Sequence, residues 1–245
     1  MAPLISFHNV SKRYPDGGRE ILVLDRVSLT IESGSFVGVY GARRSGKSTL
    51  LRMAAGIVLA DTGKVTFEGA DMASMTAGDR GRLLRDAIAF MSAEDWRAHP
   101  GETVVDHVAT SLGSEGLTMR EARHRAVQIL DQLGIGAAGA QENAASLSLT
   151  DRTRVMLARA LAREPKLLVL DEPALMPNLR DRDRFYAQLR AAARERDMAL
   201  LVASEEMAAL QGVGVLVSIA DGELCSTDEG GTVVPLPRRR AAGAR

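Results

Sequence analysis

Three short apolar runs, each closed by a polar or glycine-rich turn, punctuate the chain: Phe36–Tyr40, Leu167–Leu170 and Ala199–Ala203. Continuous apolar runs of this length mark strands buried on both faces, the pattern of a parallel sheet. Helical periodicity over Lys47–Ile57 follows the first run, and over Asp181–Arg194 it separates the second from the third, which predicts crossover units. The N-terminal part reads differently. Leu4–Val10, Val23–Ile31 and Lys64–Glu68 alternate apolar with polar positions, with turn signals at Asp16-Gly17-Gly18 and Glu32-Ser33-Gly34, predicting a small antiparallel β layer beside the parallel core.

From about residue 94 to 163 helical signals dominate, as in a helical subdomain inserted into the core. Thr118-Met119-Arg120-Glu121 has the form of a capping box, Ala122–Leu133 carries helical periodicity, and Gly134 stands where a glycine stops a helix. The pattern bounds one α/β unit over residues 4–228, followed by a flexible basic tail over 229–245 that ends in Pro-Leu-Pro-Arg-Arg-Arg and is read as solvated.

Composition narrows the function. With 245 residues, 46% hydrophobic and 25% charged, there is material for a sizeable core. Lys and Arg total 31 and Asp and Glu total 31, so no global field draws the protein to nucleic acid or an anionic membrane. The single cysteine, Cys225, leaves no intramolecular disulfide or cysteine-based zinc site and reads as a small buried apolar residue. No run approaches 18 apolar residues and the first residues lack a leader pattern, so a mature cytosolic chain is expected, reaching a membrane only by docking onto another protein.

The chemistry begins directly after the first apolar run. Gly41-Ala42-Arg43-Arg44-Ser45-Gly46-Lys47-Ser48 fits the phosphate-loop pattern G-x-x-x-x-G-K-S/T between a strand and a helix, and Thr49 continues the segment. Phosphate oxygens need several backbone N–H groups aimed at one point. Glycines let the loop wrap closely, and the helix N-terminus adds partial positive charge. Lys47 is then the residue for the β- and γ-phosphates, and Ser48 a ligand for Mg²⁺. Arg43 and Arg44 either add charge toward the nucleotide or point to solvent. The second half of such a site is an acid ending a neighbouring strand, and Leu167-Leu168-Val169-Leu170-Asp171-Glu172-Pro173 supplies two. Asp171 is assigned to the metal, and Glu172, at the strand's end, to an attacking water as general base.

With these residues in place the sequence resembles the nucleotide-binding subunit of ATP-binding cassette (ABC) transporters over roughly residues 4–224. The resemblance implies ATP and Mg²⁺ as ligands, Tyr14 stacking on adenine, and the helical lobe as the family's insertion between the two phosphate motifs. Leu147-Ser148 and the following Arg154–Leu161 align with the signature segment and its helix, which makes Ser148 a further nucleotide contact. It implies two partners, a transmembrane permease and a second nucleotide-binding subunit, identical or not, and a peripheral place on the inner face of the cell membrane.

Four positions depart from the family pattern. The signature LSGGQ reads Leu147-Ser148-Leu149-Thr150-Asp151, which puts side chains and a negative charge where backbone N–H groups approach a γ-phosphate. The glutamine position falls on Ala93, with Glu94 able to substitute after a one-residue slip, and the switch-histidine position holds Ser204. The segment normally ending Ala-Leu-Asp reads Met176-Pro177-Asn178. Losing one contact to a transition-state phosphate costs on the order of 3 kcal/mol, roughly a hundredfold in rate. Two functions therefore stand open: an ATP-hydrolysing motor subunit with slow turnover, and a degenerate ATP-binding regulatory subunit beside an intact ATPase. Trp96 either lines a groove for the permease or packs as an ordinary half-buried aromatic. Asp181-Arg182-Asp183-Arg184 reads as a solvated helix start.

Overall fold

The computed structural model describes residues 2–113, 116–173, 179–227 and 233–235. The chain opens with a long hairpin, β1 (Ile5–Asp16) and β2 (Arg19–Ile31), turning at Gly17 and Gly18, both at positive φ. Next come β3 (Phe36–Tyr40), α1 (Lys47–Ala54), β4 (Thr62–Phe67), the two-residue β5 (Ala70–Asp71), α2 (Ala77–Asp86) and β6 (Ile88–Ser92). The helical lobe comprises α3 (Val104–Ala109), α4 (Met119–Gln132), the short α5 (Ala137–Ala140) and α6 (Leu149–Leu161). The core resumes with β7 (Leu167–Asp171), α7 (Leu179–Glu195), β8 (Ala199–Ser204), β9 (Val215–Ala220), β10 (Glu223–Thr227) and β11 (Val233–Pro235).

Two sheets result. The first, in the order β2-β1-β4-β5, is antiparallel throughout and is the N-terminal layer that the alternating pattern predicts. The second runs β11-β10-β9-β3-β8-β7-β6, parallel from β9 to β6 and closed at the other edge by antiparallel β10 and β11. This is the expected α/β arrangement, a mostly parallel sheet with flanking helices, an antiparallel layer and an inserted helical lobe. One expectation needs correction: residues 233–235 pair with β10 as an edge strand inside the segment read as a frayed tail. The remainder of that segment lies outside the described residues.

The second sheet is a partition. On β7, Leu168 and Leu170 pack into a core shared with the lobe and α7, whereas Leu167 and Val169 pack into a core shared with α1 and the antiparallel layer. Alternation of side chains across a strand produces this division, and it accounts for an apolar run with no polar face. The lobe's α4 begins as predicted. Thr118 accepts from the Glu121 backbone, and the Glu121 carboxylate accepts from the Thr118 N–H at 2.8 Å. Gly134, at φ 81°, lies just beyond its end. Thr118→Ala removes one half of this reciprocal cap and is expected to lower stability by about 1 kcal/mol, read as a shift in the urea midpoint at unchanged slope.

Candidate phosphate-binding site

β3 delivers the chain into the phosphate loop and α1 takes it away, so the loop is fixed at both ends by buried elements. Crowding shows why glycines stand in it. A Cβ on Gly41 would lie 2.6 Å from the Ser45 hydroxyl and 2.7 Å from the Ile219 carbonyl oxygen. Gly46 sits at φ 107°, and a Cβ there would meet the Val23 carbonyl at 2.8 Å. Arg44 has φ 65°, a conformation that favours glycine, and both Arg43 and Arg44 are exposed. Ala42 is exposed, while Ser45, Ser48 and Thr49 are half-buried.

Lys47 opens α1 with its side chain only 5% exposed. Its ammonium donates to the carbonyls of Gly41 at 2.8 Å and Ala42 at 3.0 Å. Two carboxylates face the same nitrogen: Glu172 Oε1 at 3.5 Å and Glu205 Oε1 at 3.8 Å. Glu172 leaves β7 with φ 47°, a left-handed turn that swings its side chain out of the strand pattern, and Glu205 N–H donates to its Oε2 at 3.2 Å. Burial pushes the Glu172 carboxyl above the usual range, against the pull of the Glu205 N–H and Lys47.

Asp171, the last residue of β7, is 6% exposed. Burial raises its pKa, opposed by the neighbouring Ser48 hydroxyl and the charges of Arg52 and Lys47, and reinforced by Glu94. Its Oδ1 is buried and makes no hydrogen bond among the described residues, as is true of the Ser45 hydroxyl. A buried carboxylate oxygen without a donor, beside a serine hydroxyl and a lysine, suits a hard cation that takes its remaining ligands from phosphates and water. No group of three or more acidic, histidine or cysteine side chains is assembled to hold a metal among the described residues. Asp171 and Ser48 are oxygen donors of the kind a hard cation takes.

Other predicted positions fall as follows. Tyr14 stands in the β1–β2 hairpin opposite Ile21, its ring centroid 5.5 Å from Lys12 Nζ, and β2 passes the loop at Val23 and Leu24. Ser148 caps α6: its hydroxyl accepts from the Asp151 N–H at 3.1 Å and donates to the Asp151 carboxylate at 2.7 Å. That hydroxyl has one proton, and Asp151 takes it. Ala93 lies in a short 3₁₀ turn after β6, whose Ser92 is in register with Asp171. Glu94, in the same turn, is exposed yet close enough for its charge to act on Asp171. Ser204 is buried at the end of β8, and its hydroxyl accepts from the Glu206 N–H at 3.0 Å. Met176-Pro177-Asn178 lies outside the described residues.

The reading of residues 181–184 as a solvated helix start needs correction at Arg182. This side chain is buried and holds Glu206 at 2.8 Å, tying α7 to the loop after β8. Sequence reasoning also passed over Glu205 as a site residue. A signal existed in its position directly after the third apolar run, where parallel strands present their chemistry.

Two cavities lie elsewhere. One of about 450 Å³ runs between β6, α3 and α6, with Trp96 half-buried and 4.7 Å from the His107 ring, and Arg85, Arg159 and Arg163 around it. The other, about 600 Å³, lies on the lobe between Thr103, Arg123 and His124 and holds none of the predicted site residues.

Comparisons with known proteins bear on the family and the fold. The ABC transporter family model matches residues 24–175. The chain is 30% identical to a lipoprotein-releasing system ATP-binding protein of Caulobacter vibrioides over 91% of its own length and 96% of the relative's. It is 34% identical to an aliphatic sulfonates import ATP-binding protein of Burkholderia cenocepacia, covering 98% of this chain and 68% of that one. Against the methionine import ATP-binding protein of Caulobacter vibrioides identity is 32%, and the chain spans 64% of that relative's length. A dimeric ATP-binding cassette solved after hydrolysis, with ADP and phosphate bound, superposes with a TM-score of 0.83 over 90% of this chain and 96% of that one at 24% identity, a likeness of fold. Motif order, sheet topology and similarity to ATP-binding subunits along nearly the whole chain converge: the protein belongs to the ABC transporter family, as a nucleotide-binding subunit.

Proposed function

We propose that the protein binds Mg·ATP at the loop 41–49 and passes the resulting closure with a second nucleotide-binding subunit to a membrane permease. The observation that carries the reading is the convergence of Lys47, Asp171 and Glu172 on one point between β3 and β7. Lys47 is the cation for the β- and γ-phosphates and gives up the Gly41 and Ala42 carbonyls to take that role. The loop amides and the start of α1 surround the phosphate chain, and Tyr14 lies on the hairpin side for the base. Ser48 and Asp171 hold Mg²⁺, which when bound supplies neutralising charge to the phosphate oxygens. Glu172, whose basicity burial increases, takes the proton of a water that attacks the terminal phosphate. Its Oε2 is oriented by the Glu205 N–H.

The cavity beside Trp96 is the proposed permease contact. Its apolar floor of Ala89, Phe90 and Met91, under a rim that carries Arg85, Arg159 and Arg163 with one carboxylate, Asp95, suits an amphipathic segment carrying an acidic residue. No helix among the described residues is long and apolar enough to cross a membrane.

One observation favours the alternative of a non-hydrolysing regulatory subunit. Asp151 places a carboxylate at the start of α6, engages the Ser148 hydroxyl and sits beside exposed Leu149. An anion at that helix terminus opposes the approach of a phosphate from a facing subunit. Steady-state hydrolysis and nucleotide binding, measured together on wild type and Glu172→Gln, separate the two. Turnover in the wild type that falls at least about a hundredfold in Glu172→Gln while binding persists identifies a motor with Glu172 as base. Tight binding with no turnover in either protein identifies the regulatory subunit.

A further inference from the structure

The loop after β8 turns two neighbours in opposite directions. Ser204 is spent on its own backbone, accepting from the Glu206 N–H. Glu206 is held outward by Arg182. Glu205, between them, faces the phosphate loop, with Oε1 at 3.8 Å from Lys47 Nζ and its N–H on Glu172 Oε2. Lys47 is thus ringed by four oxygens, two carbonyls and two carboxylates, although it is the buried ammonium that a phosphate chain needs. Glu172 has a use there as a base. Glu205 has no assigned role, and its carboxylate stands at the ammonium end of Lys47.

We propose that Glu205 is a specificity-determining carboxylate that competes with the terminal phosphate for Lys47 and so biases the site toward nucleoside diphosphate over triphosphate. The inference rests on the reading of loop 41–49 as the ATP site. A diphosphate satisfies Lys47 without placing a third phosphate beside Glu205. A triphosphate brings its outermost charge against both Glu172 and Glu205 and must take the ammonium from them. The strength of the bias follows from exposure. Glu205 is 46% exposed, so water and salt screen part of the repulsion, and an effect of about tenfold is expected, well below what a dry site would give. The same exposure makes the residue replaceable, because no core contact depends on it.

Binding of ADP and of a non-hydrolysable ATP analogue, each with Mg²⁺, is to be titrated calorimetrically onto the full-length wild type, Glu205→Gln and Glu205→Ala, at low and high salt. Both substitutions are expected to tighten the triphosphate analogue by about tenfold and ADP by less than about threefold, with the gain shrinking as salt rises. Equal gains for the two nucleotides, no gain, weaker triphosphate binding in both variants, or a gain that salt leaves untouched each overturn the proposal and leave the ATP site standing. A wild type that binds neither nucleotide overturns the ATP-site reading, and this proposal with it.

Discussion

Lys47→Ala is expected to weaken Mg·ATP binding by at least about a hundredfold, equivalent to roughly 2.7 kcal/mol. Two losses combine in that figure. The phosphates lose the ammonium nearest to them, buried where its charge is poorly screened. The Glu172 and Glu205 carboxylates, at 3.5 and 3.8 Å from that ammonium, lose their common counter-charge and turn their field on any anion that enters. Calorimetric titration reads the effect directly, and a retained cooperative thermal transition separates it from misfolding. A variant that still bound Mg·ATP within about threefold of wild type would show that the loop amides alone hold the nucleotide, contrary to the arrangement described.

Leu168→Ala is expected to destabilise the protein by about 2–5 kcal/mol, read from the urea midpoint at unchanged slope. Leu168 is fully buried in the middle of β7 and faces the core shared with the lobe. Neighbouring strands β6 and β8 fix the backbone on either side, so the gap cannot close by a shift of the strand. The cost therefore falls toward that of an unrelaxed cavity, several times the loss expected for the exposed cap at Thr118. A change under about 1 kcal/mol would mean that the lobe repacks onto the sheet, which the partition described above does not allow.

Much of this architecture was legible in the sequence because its signals are local. The three apolar runs became β3, β7 and β8, the capping box opened α4, and the phosphate loop lay where strand and helix predicted it. Other strands carry weaker local signals. Ile88–Ser92 is an apolar run like the others, and it is the edge strand β6. Val215–Ala220, followed by Asp221-Gly222, carries a strand and a hairpin turn that form β9 and β10. The helix α2 was hidden by its composition: Gly78 and Gly81 lower helix propensity, and only the Thr76–Asp79 capping box announces it.

What no local pattern carries is contact between distant segments. Glu205 reads as one of two adjacent acids after a strand, and nothing in Ser204-Glu205-Glu206 says which one faces Lys47. The fold decides it, because Arg182 on α7 claims Glu206 and leaves Glu205 to the loop. The burial of Arg182 has the same origin. A charged helix start looks solvated until the loop opposite provides its carboxylate, and Arg154 likewise bridges α6 to Asp181.

The division of the two cores by a single layer of backbone has a mechanical meaning. Asp171 hangs from the end of β7, whose even-numbered neighbours are gripped by the lobe side and whose odd-numbered ones by the hairpin side. A strand clamped on both faces can neither tilt nor roll, so the carboxylate keeps its aim whatever strain reaches the lobe from outside. A push on the lobe, as proposed for the permease, would thus leave the carboxylate proposed as a metal ligand in place, much as a gauge stays true when its post is set in masonry on two sides.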